Sequence, residues 1–294
     1  MYTRVTQRSI SITSLAGLQG NLDRLGKLQQ QLSSGRLISV PSDSPTGTVT
    51  ALQIRGEMRM NDQYTRNAED GLGWLGTIET ALGSSLGNLN RVRDLTLQGI
   101  STGVSGQDAR EALATEVAQI RDGLIQTANA RYLDRPVFGG TTPKTIAFDA
   151  TGAYAGDSTP VVRTVGDNTG VRVDLTGPEV YGTGSTQLFS VLSDIVTHLR
   201  TDPSQLSADL GNLDLAKNRM LTAVSDVGAR YNRVDGLRQT ADDRILTLKS
   251  SLANVENIDL PKTVTELQMA QVSYQAALGA TAKAIQPSLL DFLR

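Results

Sequence analysis

The chain has 294 residues, a formal net charge of -2, one histidine and no cysteine. The absence of thiols excludes disulfides and thiolate metal sites, and a single histidine cannot build a zinc site. The near-neutral charge provides no basic surface of the kind that attracts nucleic acid or anionic lipid, so we expect neither partner.

The apolar residues suggest thin helix seams. They make up 39% of the chain, yet it contains only one Trp, seven Tyr and four Phe. Aliphatic content of this kind favours helical packing over one thick globular core. No stretch approaches the ~18 apolar residues of a membrane span, and residues 1–8 lack the apolar run of a cleaved signal peptide.

The first predicted helix begins at Ser9 or Ser11 and ends at Ser33 to Gly35. Its leucines recur at alternating steps of three and four residues, the spacing of a coiled-coil face, with Gln29 at one polar position. A lone helix of about 20 residues is marginal in water, so this helix needs a partner. The stripe consists of Leu15, Leu18, Leu22, Leu25 and Leu32.

An ordered turn follows at residues 40–47, where two prolines and several side-chain acceptors lie close together. A long helix is predicted from about Thr48 to Gly99, and a third from Gln107 or Asp108 to about Ala130. The long helix carries Leu75, Ile78, Leu82, Leu89 and Val92, and the third carries Leu113, Val117, Ile120 and Leu124.

Residues 136–185 have a different texture, rich in glycine and proline, with short β-branched runs. Val161–Val165 and Val171–Leu175 are predicted strands. Residues 166–170 and 150–152 are typical of hairpin turns. This segment is therefore predicted to be a small β-rich insertion between helical arms.

The second half returns to helix. A short helix is predicted from Leu188 to Arg200, and after it Asp202 can cap the next helix with Pro203 in its first turn. The next helix should run unbroken from Leu206 to Val255, about 75 Å at 1.5 Å per residue. Its stripe consists of Leu206, Leu210, Leu213, Met220, Val224, Val227, Tyr231, Val234, Ala241, Ile245, Leu248, Leu252 and Val255.

The last predicted helix begins near Pro261, because proline is tolerated in a first turn but breaks a helix interior. Its stripe has the same three-and-four spacing as the first helix, with Gln271 and Thr281 as polar positions. An apolar tail follows Pro287. The stripe comprises Val264, Leu267, Tyr274, Leu278 and Ile285, and the tail carries Leu289, Leu290 and Phe292.

These elements predict a mainly α fold with a β-rich insertion and long antiparallel arms from both termini. We expect three parts: 1–40 with 260–294 as an assembly domain, 41–135 with 186–259 as a helical rod, and 136–185 as an outer domain. Two paired helices bury little surface, so the terminal stripes and the tail are candidate interfaces with further copies. The long stripe could instead belong to an ordinary intramolecular bundle.

Catalytic motifs are few. Residues 71–76 match the dinucleotide pattern G-x-G-x-x-G, with Asp94 downstream, but no buried strand precedes them. We therefore interpret these glycines as small residues for close packing. Adjacent Asp242 and Asp243 point about 100° apart on a helix, and His198 has neither a thiol nor a nucleophile motif nearby, so we predict no catalytic site and no cofactor.

Eight short motifs carry a family resemblance, at residues 32–36, 41–45, 63–67, 89–95, 131–133, 138–141, 154–157 and 286–293. Together they resemble the motifs of the bacterial flagellin superfamily, in particular its hook–filament junction branch. The tail from Gln286 is more similar to the junction branch than to flagellin. Ser44 stands where the family pattern often has a second Asp.

The resemblance implies a non-enzymatic structural subunit of the flagellum, exported through the flagellar type III channel and assembled outside the cell by its terminal helices. It also implies several partners: other copies of the chain, hook-associated protein 1, flagellin, and a cytoplasmic export chaperone at the C-terminal region. A filament subunit of the flagellin type is the alternative structural role. A nucleotide-dependent enzyme using Gly71 to Gly76 is the alternative from another class.

Overall fold

The computed structural model describes residues 7–101 and 106–285. The chain divides into two compact units. The terminal unit comprises Met1–Arg59 and Leu246–Arg294, and the central unit is Met60–Ile245. The three-part division expected from the sequence, with limits near residues 40 and 260, stays a prediction.

Helices dominate the described residues, as predicted. Each expected helix is present within a few residues of its expected limits, including the unbroken 51-residue helix that ends at Glu256. A short helix at 177–181 was not predicted. The helices are α1 (Gln7–Ser34), α2 (Pro45–Ile100), α3 (Gln107–Ala128), α4 (Gly177–Tyr181), α5 (Leu188–Thr201), α6 (Leu206–Glu256) and α7 (Leu260–Ile285).

The short helix α4 is specified by local hydrogen bonding. The Thr176 side chain accepts a backbone bond from the first turn, and Glu179 accepts a bond from the backbone N–H of Thr176 at 2.8 Å. Pro178 lies in that first turn, where its missing N–H costs nothing. This reciprocal capping explains a helix too short to show an apolar period.

Strands among the described residues form two antiparallel pairs. The pair β1 (Arg131–Tyr132) and β2 (Arg135–Pro136) is very short. The pair β3 (Val162–Gly166) and β4 (Thr169–Arg172) is the predicted hairpin, with Asn168 at a φ of 49° in its turn. Asparagine tolerates this left-handed conformation better than most residues.

The core of the central unit combines aliphatic helix faces with an aromatic cluster from the insertion. The ring of Phe148 lies 5.2 Å from those of Tyr181 and Phe189 and 5.3 Å from that of Tyr154. The predicted stripe of α2 is fully buried in the same core. The insertion therefore supplies most of the aromatic packing that the helices lack.

In α6, one of the two predicted rows is confirmed, and the other is displaced by one residue in the first half of the helix only. A residue is buried at every seventh position from Leu206 to Leu248. In the first half the second row is filled by Asp209, Ala216 and Ala223, one residue earlier than predicted, whereas Ile245 in the second half is buried at its predicted position. Tyr231, predicted in the stripe, is exposed.

Among the described residues, no helix is both long and apolar enough to cross a bilayer.

We predict that a fragment of residues 60–245 folds by itself. It contains the connected core of the central unit, including the aromatic cluster and its packing against α3 and α5. Circular dichroism should show high helical content and one cooperative thermal transition. A gradual, non-cooperative loss of helix signal on heating would contradict the unit boundaries.

Candidate assembly surface

The terminal unit is built on a pair of helices, α1 and α7, that pack side by side. α1 ends where α7 begins, since the N–H of Ile258 donates to the carbonyl oxygen of Gly35 at 3.2 Å. The two helices therefore run antiparallel, as the sequence predicted. Leu28 of α1 and Ala270 of α7 are buried between them.

The contact rows of this pair are offset from the predicted stripes. In α7 Thr263 and Ala270 are buried, and Val264, Leu267, Tyr274 and Ala277 are partly buried. Val264, Leu267 and Tyr274 were predicted, whereas Ala270 and Ala277 lie one residue before Gln271 and Leu278. Small residues in that row allow the helix backbones to approach closely.

The same offset occurs in α1. Leu18, Leu25 and Leu32 are partly buried, as the predicted stripe requires. The second row contains Leu28 in place of Gln29. The line of contact between α1 and α7, here called the seam, therefore lies one position earlier than expected. The leucines one position later in the sequence therefore lie at the edge of the seam.

Several large apolar side chains of this unit are exposed. On α1, Leu15 is 53% and Leu22 48% exposed. On α7, Met269 and Val272 are 66% and 65% exposed, on the side away from the seam. Contiguous exposed apolar side chains commonly mark sites where another protein binds. The terminal unit thus presents apolar surface that its own two helices do not cover.

The predicted interface residues accordingly fall into three groups. Those on the flanks, Leu15, Leu22 and Leu278, are exposed, and those in or beside the seam are partly buried. The side chain of Ile285 and the tail residues Leu289, Leu290 and Phe292 lie outside the described residues. The partly buried group comprises Leu18, Leu25, Leu32, Val264, Leu267 and Tyr274.

The connecting loop, residues 35–44, joins α1 to α2 and is bonded to the end of α6. Gly35 has a φ of 70°, a left-handed conformation that closes α1 at no steric cost to glycine. The N–H of Leu37 donates to the carbonyl oxygen of Glu256 at 2.6 Å. Glu256, almost buried, also accepts from Arg55 at 2.8 Å.

Asp43 organises the middle of the connecting loop. Its carboxylate accepts from the backbone N–H groups of Ser39 and Val40, each at 3.1 Å, and pairs with Lys27 of α1 at 2.9 Å. The bond from Lys27, with the two backbone donors, lowers the pKa of Asp43 to about 2. Asp43 therefore stays ionised and ties the loop to α1.

Ser44 caps α2 directly after this loop. Its hydroxyl accepts from the N–H of Gly47 at 3.2 Å, and Pro45 is the first helical residue. Serine and aspartate are both strong N-cap residues, so the departure from the family pattern at this position preserves the cap. At α7, Asp259 plays the same role by accepting from the N–H of Lys262 at 3.1 Å.

Sequence reasoning missed Leu28, Glu256 and the Lys27–Asp43 pair. Leu28 lies outside the strict three-and-four stripe of α1, and Glu256 contacts residues about 200 positions away. The position of Asp43 between two prolines was a usable signal, because such loops commonly need a side-chain acceptor for their free N–H groups.

The glycine pattern at 71–76 lies inside α2, without the strand and phosphate-binding loop that dinucleotide sites use. A Cβ on Gly73 would lie 2.5 Å from the Tyr132 hydroxyl, and one on Gly71 would lie 3.0 Å from Val173. These two glycines therefore permit close packing, Gly73 against Tyr132 of β1 and Gly71 against Val173 of the insertion. Gly76 has open space beside it.

The other candidate groups have structural partners. His198 of α5 bonds to Asp209 of α6 between Nδ1 and Oδ2 at 2.6 Å, which raises the pKa of His198. Asp242 accepts from Thr65 and from Arg238, each at 3.0 Å. Residues 7–101 and 106–285 hold no cluster of three or more potential metal ligands.

Models of known protein families match both helical arms of the chain. Residues 5–134 match the model of the bacterial flagellin N-terminal helical region, and residues 210–293 match that of the C-terminal helical region. Flagellar hook-associated protein 3 of Escherichia coli is 22% identical, with 91% of this chain and 92% of that protein covered.

Two further relatives are a flagellin and a second hook-associated protein 3. Flagellin of Bacillus subtilis is also 22% identical and is covered over its full length by 99% of this chain. The solved structure of flagellar hook-associated protein 3 from Legionella pneumophila is 15% identical, with a TM-score of 0.60 over 69% of this chain and 98% of that one. This structural likeness extends to the fold alone.

We expect Asp43→Asn to destabilise the terminal unit. A carboxylate whose folded pKa is lowered stabilises the fold above its ordinary pKa of 3.8, and this stabilisation is lost as the pH falls towards 2. The melting temperature of the variant should therefore be lower than that of the wild type at pH 7, with the difference shrinking between pH 4 and 2. Asp23→Asn, an exposed change on α1, is the matched control and should melt like the wild type throughout. A pH-independent difference would contradict the role of the charge.

Proposed function

The chain belongs to the bacterial flagellin family, since the two family models together match residues 5–134 and 210–293, and we propose that it forms the junction between the flagellar hook and filament. Members of this family are structural proteins of the flagellum. The named relatives include hook-associated protein 3, and this chain spans nearly all of that protein's length. The proposed role is therefore mechanical and not catalytic.

The observation that carries the assembly mechanism is the exposed apolar surface on the terminal unit. Leu15, Leu22, Met269 and Val272 are about half exposed or more, although they lie on helices whose other faces pack together. Burying a fully exposed side chain of this kind contributes about 1.5–3 kcal/mol, so covering the exposed half to two thirds contributes about 1–2 kcal/mol. Further copies of the chain would supply the missing contacts, so the α1–α7 pair is the proposed assembly element.

The proposed neighbours follow from a place between hook and filament. Hook-associated protein 1 lies on the hook side and flagellin on the filament side, and copies of this chain contact each other within the junction. These contacts lie outside the cell, which requires export of the chain. An export chaperone that covers the apolar C-terminal region would prevent premature association in the cytoplasm.

A filament subunit is the second candidate, favoured by the end-to-end match with Bacillus subtilis flagellin. Identity does not separate the two candidates, because both relatives are 22% identical. The two roles differ in position and abundance: a junction subunit occupies the base of the filament, whereas a filament subunit occurs along its length.

Removal of the gene should leave bacteria with hooks that carry no filament, because flagellin would have no surface on which to polymerise. Flagellin should then appear as unpolymerised protein in the medium, measured by immunoblot, while electron microscopy shows bare hooks. In the wild type, antibody against this chain should label the filament base. Normal filaments in the deletion strain, or label along the whole filament, would contradict the junction role.

Charge placed on the exposed apolar surface should block assembly without unfolding the monomer. Leu22→Asp and Val272→Asp change side chains outside the α1–α7 seam, so their circular dichroism should match that of the wild type. Loss of about 1–2 kcal/mol per contact corresponds to a factor of about 5 to 30, so we expect about tenfold less protein in purified flagella. Gln19→Asp, at an exposed polar position of α1, is the control and should be incorporated normally. Normal incorporation of both apolar-site variants would rule out this surface as the interface.

A further inference from the structure

A cavity of about 200 Å³ opens beside the connecting loop. Its apolar lining comes from Ile38, Val40, Pro41, Ala51 and Leu52. Leu52 is 56% exposed and Val40 47% exposed at this site. The loop cavity therefore combines a concave surface with uncovered apolar side chains, as a binding site for an apolar segment does.

The polar lining of the loop cavity contains two arginines, Arg36 and Arg55. Arg55 and Glu256 pair with each other at 2.8 Å. Arg36 also lines the cavity, and none of the ion pairs formed by the described residues involves it. An apolar ligand that carries one carboxylate would complement this site in both shape and charge.

We propose that the loop cavity of one copy receives residues 289–293 of a second copy. This segment has the sequence Leu-Leu-Asp-Phe-Leu, which places one acidic residue, Asp291, among four apolar ones. A cavity of about 150 Å³ can hold a benzene molecule, so the loop cavity has room for the ring of Phe292. Asp291 then pairs with Arg36. The inference rests on the proposed self-assembly and identifies one contact within it.

The geometry of α7 excludes the segment of the same chain. α7 begins next to the connecting loop and runs along α1 away from it for 26 residues, about 39 Å at 1.5 Å per residue. From Ile285 to Phe292 the chain spans seven residues, at most about 25 Å when fully extended. Phe292 therefore falls more than about 10 Å short of its own loop cavity, but not of the cavity of a copy stacked beyond the end of α7.

The inference is tested by disulfide trapping, because the chain has no native cysteine. Flagella are isolated from bacteria that produce the full chain with Val40→Cys and Phe292→Cys, and are then oxidised. Denaturing gels without reductant should show a ladder of covalent dimers and higher species of this chain. The control pairs Phe292→Cys with Val162→Cys, a valine of the central unit that is 50% exposed, and should give no ladder.

The outcomes separate the inference from the proposed function. If the variant is present in the flagella but gives no ladder, or gives only an internal disulfide, the inference is wrong and the junction role stands. Absence of the wild-type protein from isolated flagella would overturn the junction role itself.

Charge reversal provides a second test if the variant with both cysteines fails to assemble into flagella. Arg36→Glu should lower incorporation into flagella, and adding Asp291→Arg should restore it. Failure of this rescue, with a normal circular dichroism spectrum, overturns the proposed pairing.

Discussion

The packing of α1 against α7 is the constraint on which the terminal unit depends. Two helices alone bury few side chains, and here the seam relies on Leu28 and Ala270 with partly buried neighbours on either side. A pair of this size is marginal in water. Its stability and its tendency to assemble therefore have one cause, because the apolar side chains left outside the seam gain burial only when another molecule covers them.

The connecting loop makes this marginal pair possible by holding the helix ends in place. Asp43 satisfies two backbone donors and binds Lys27 of α1, while the Glu256 carboxylate pairs with Arg55 and its carbonyl oxygen accepts from the N–H of Leu37. These polar contacts fix the positions of the helix ends more than they add to the free energy of folding. They bring the end of α1 to the start of α7, so that the two arms of a long chain meet in the antiparallel arrangement that both stripes require.

Much of the fold was predictable because helices have a period that a sequence displays. The six predicted helices, the hairpin turn around Asn168 and the cap at Asp202 all rest on local rules. The aromatic cluster around Phe148 was not predictable, because its members come from distant positions and have no common spacing. The same holds for Glu256 and Arg55, which pair across about 200 residues.

The sequence alone determined which segments are helical and which heptad row faces a partner, since in α1, α6 and α7 one predicted row holds. Only the tertiary structure decided the second row, which lies one residue earlier in α1, in the first half of α6 and at Ala270 of α7, although Ile245 of α6 keeps its predicted position. The reason is that adjacent rows both fit the three-and-four spacing. In α6 and α7, close approach of the backbones selects the row containing alanines such as Ala216, Ala223 and Ala270, leaving larger neighbours such as Leu278 exposed for contacts with other molecules.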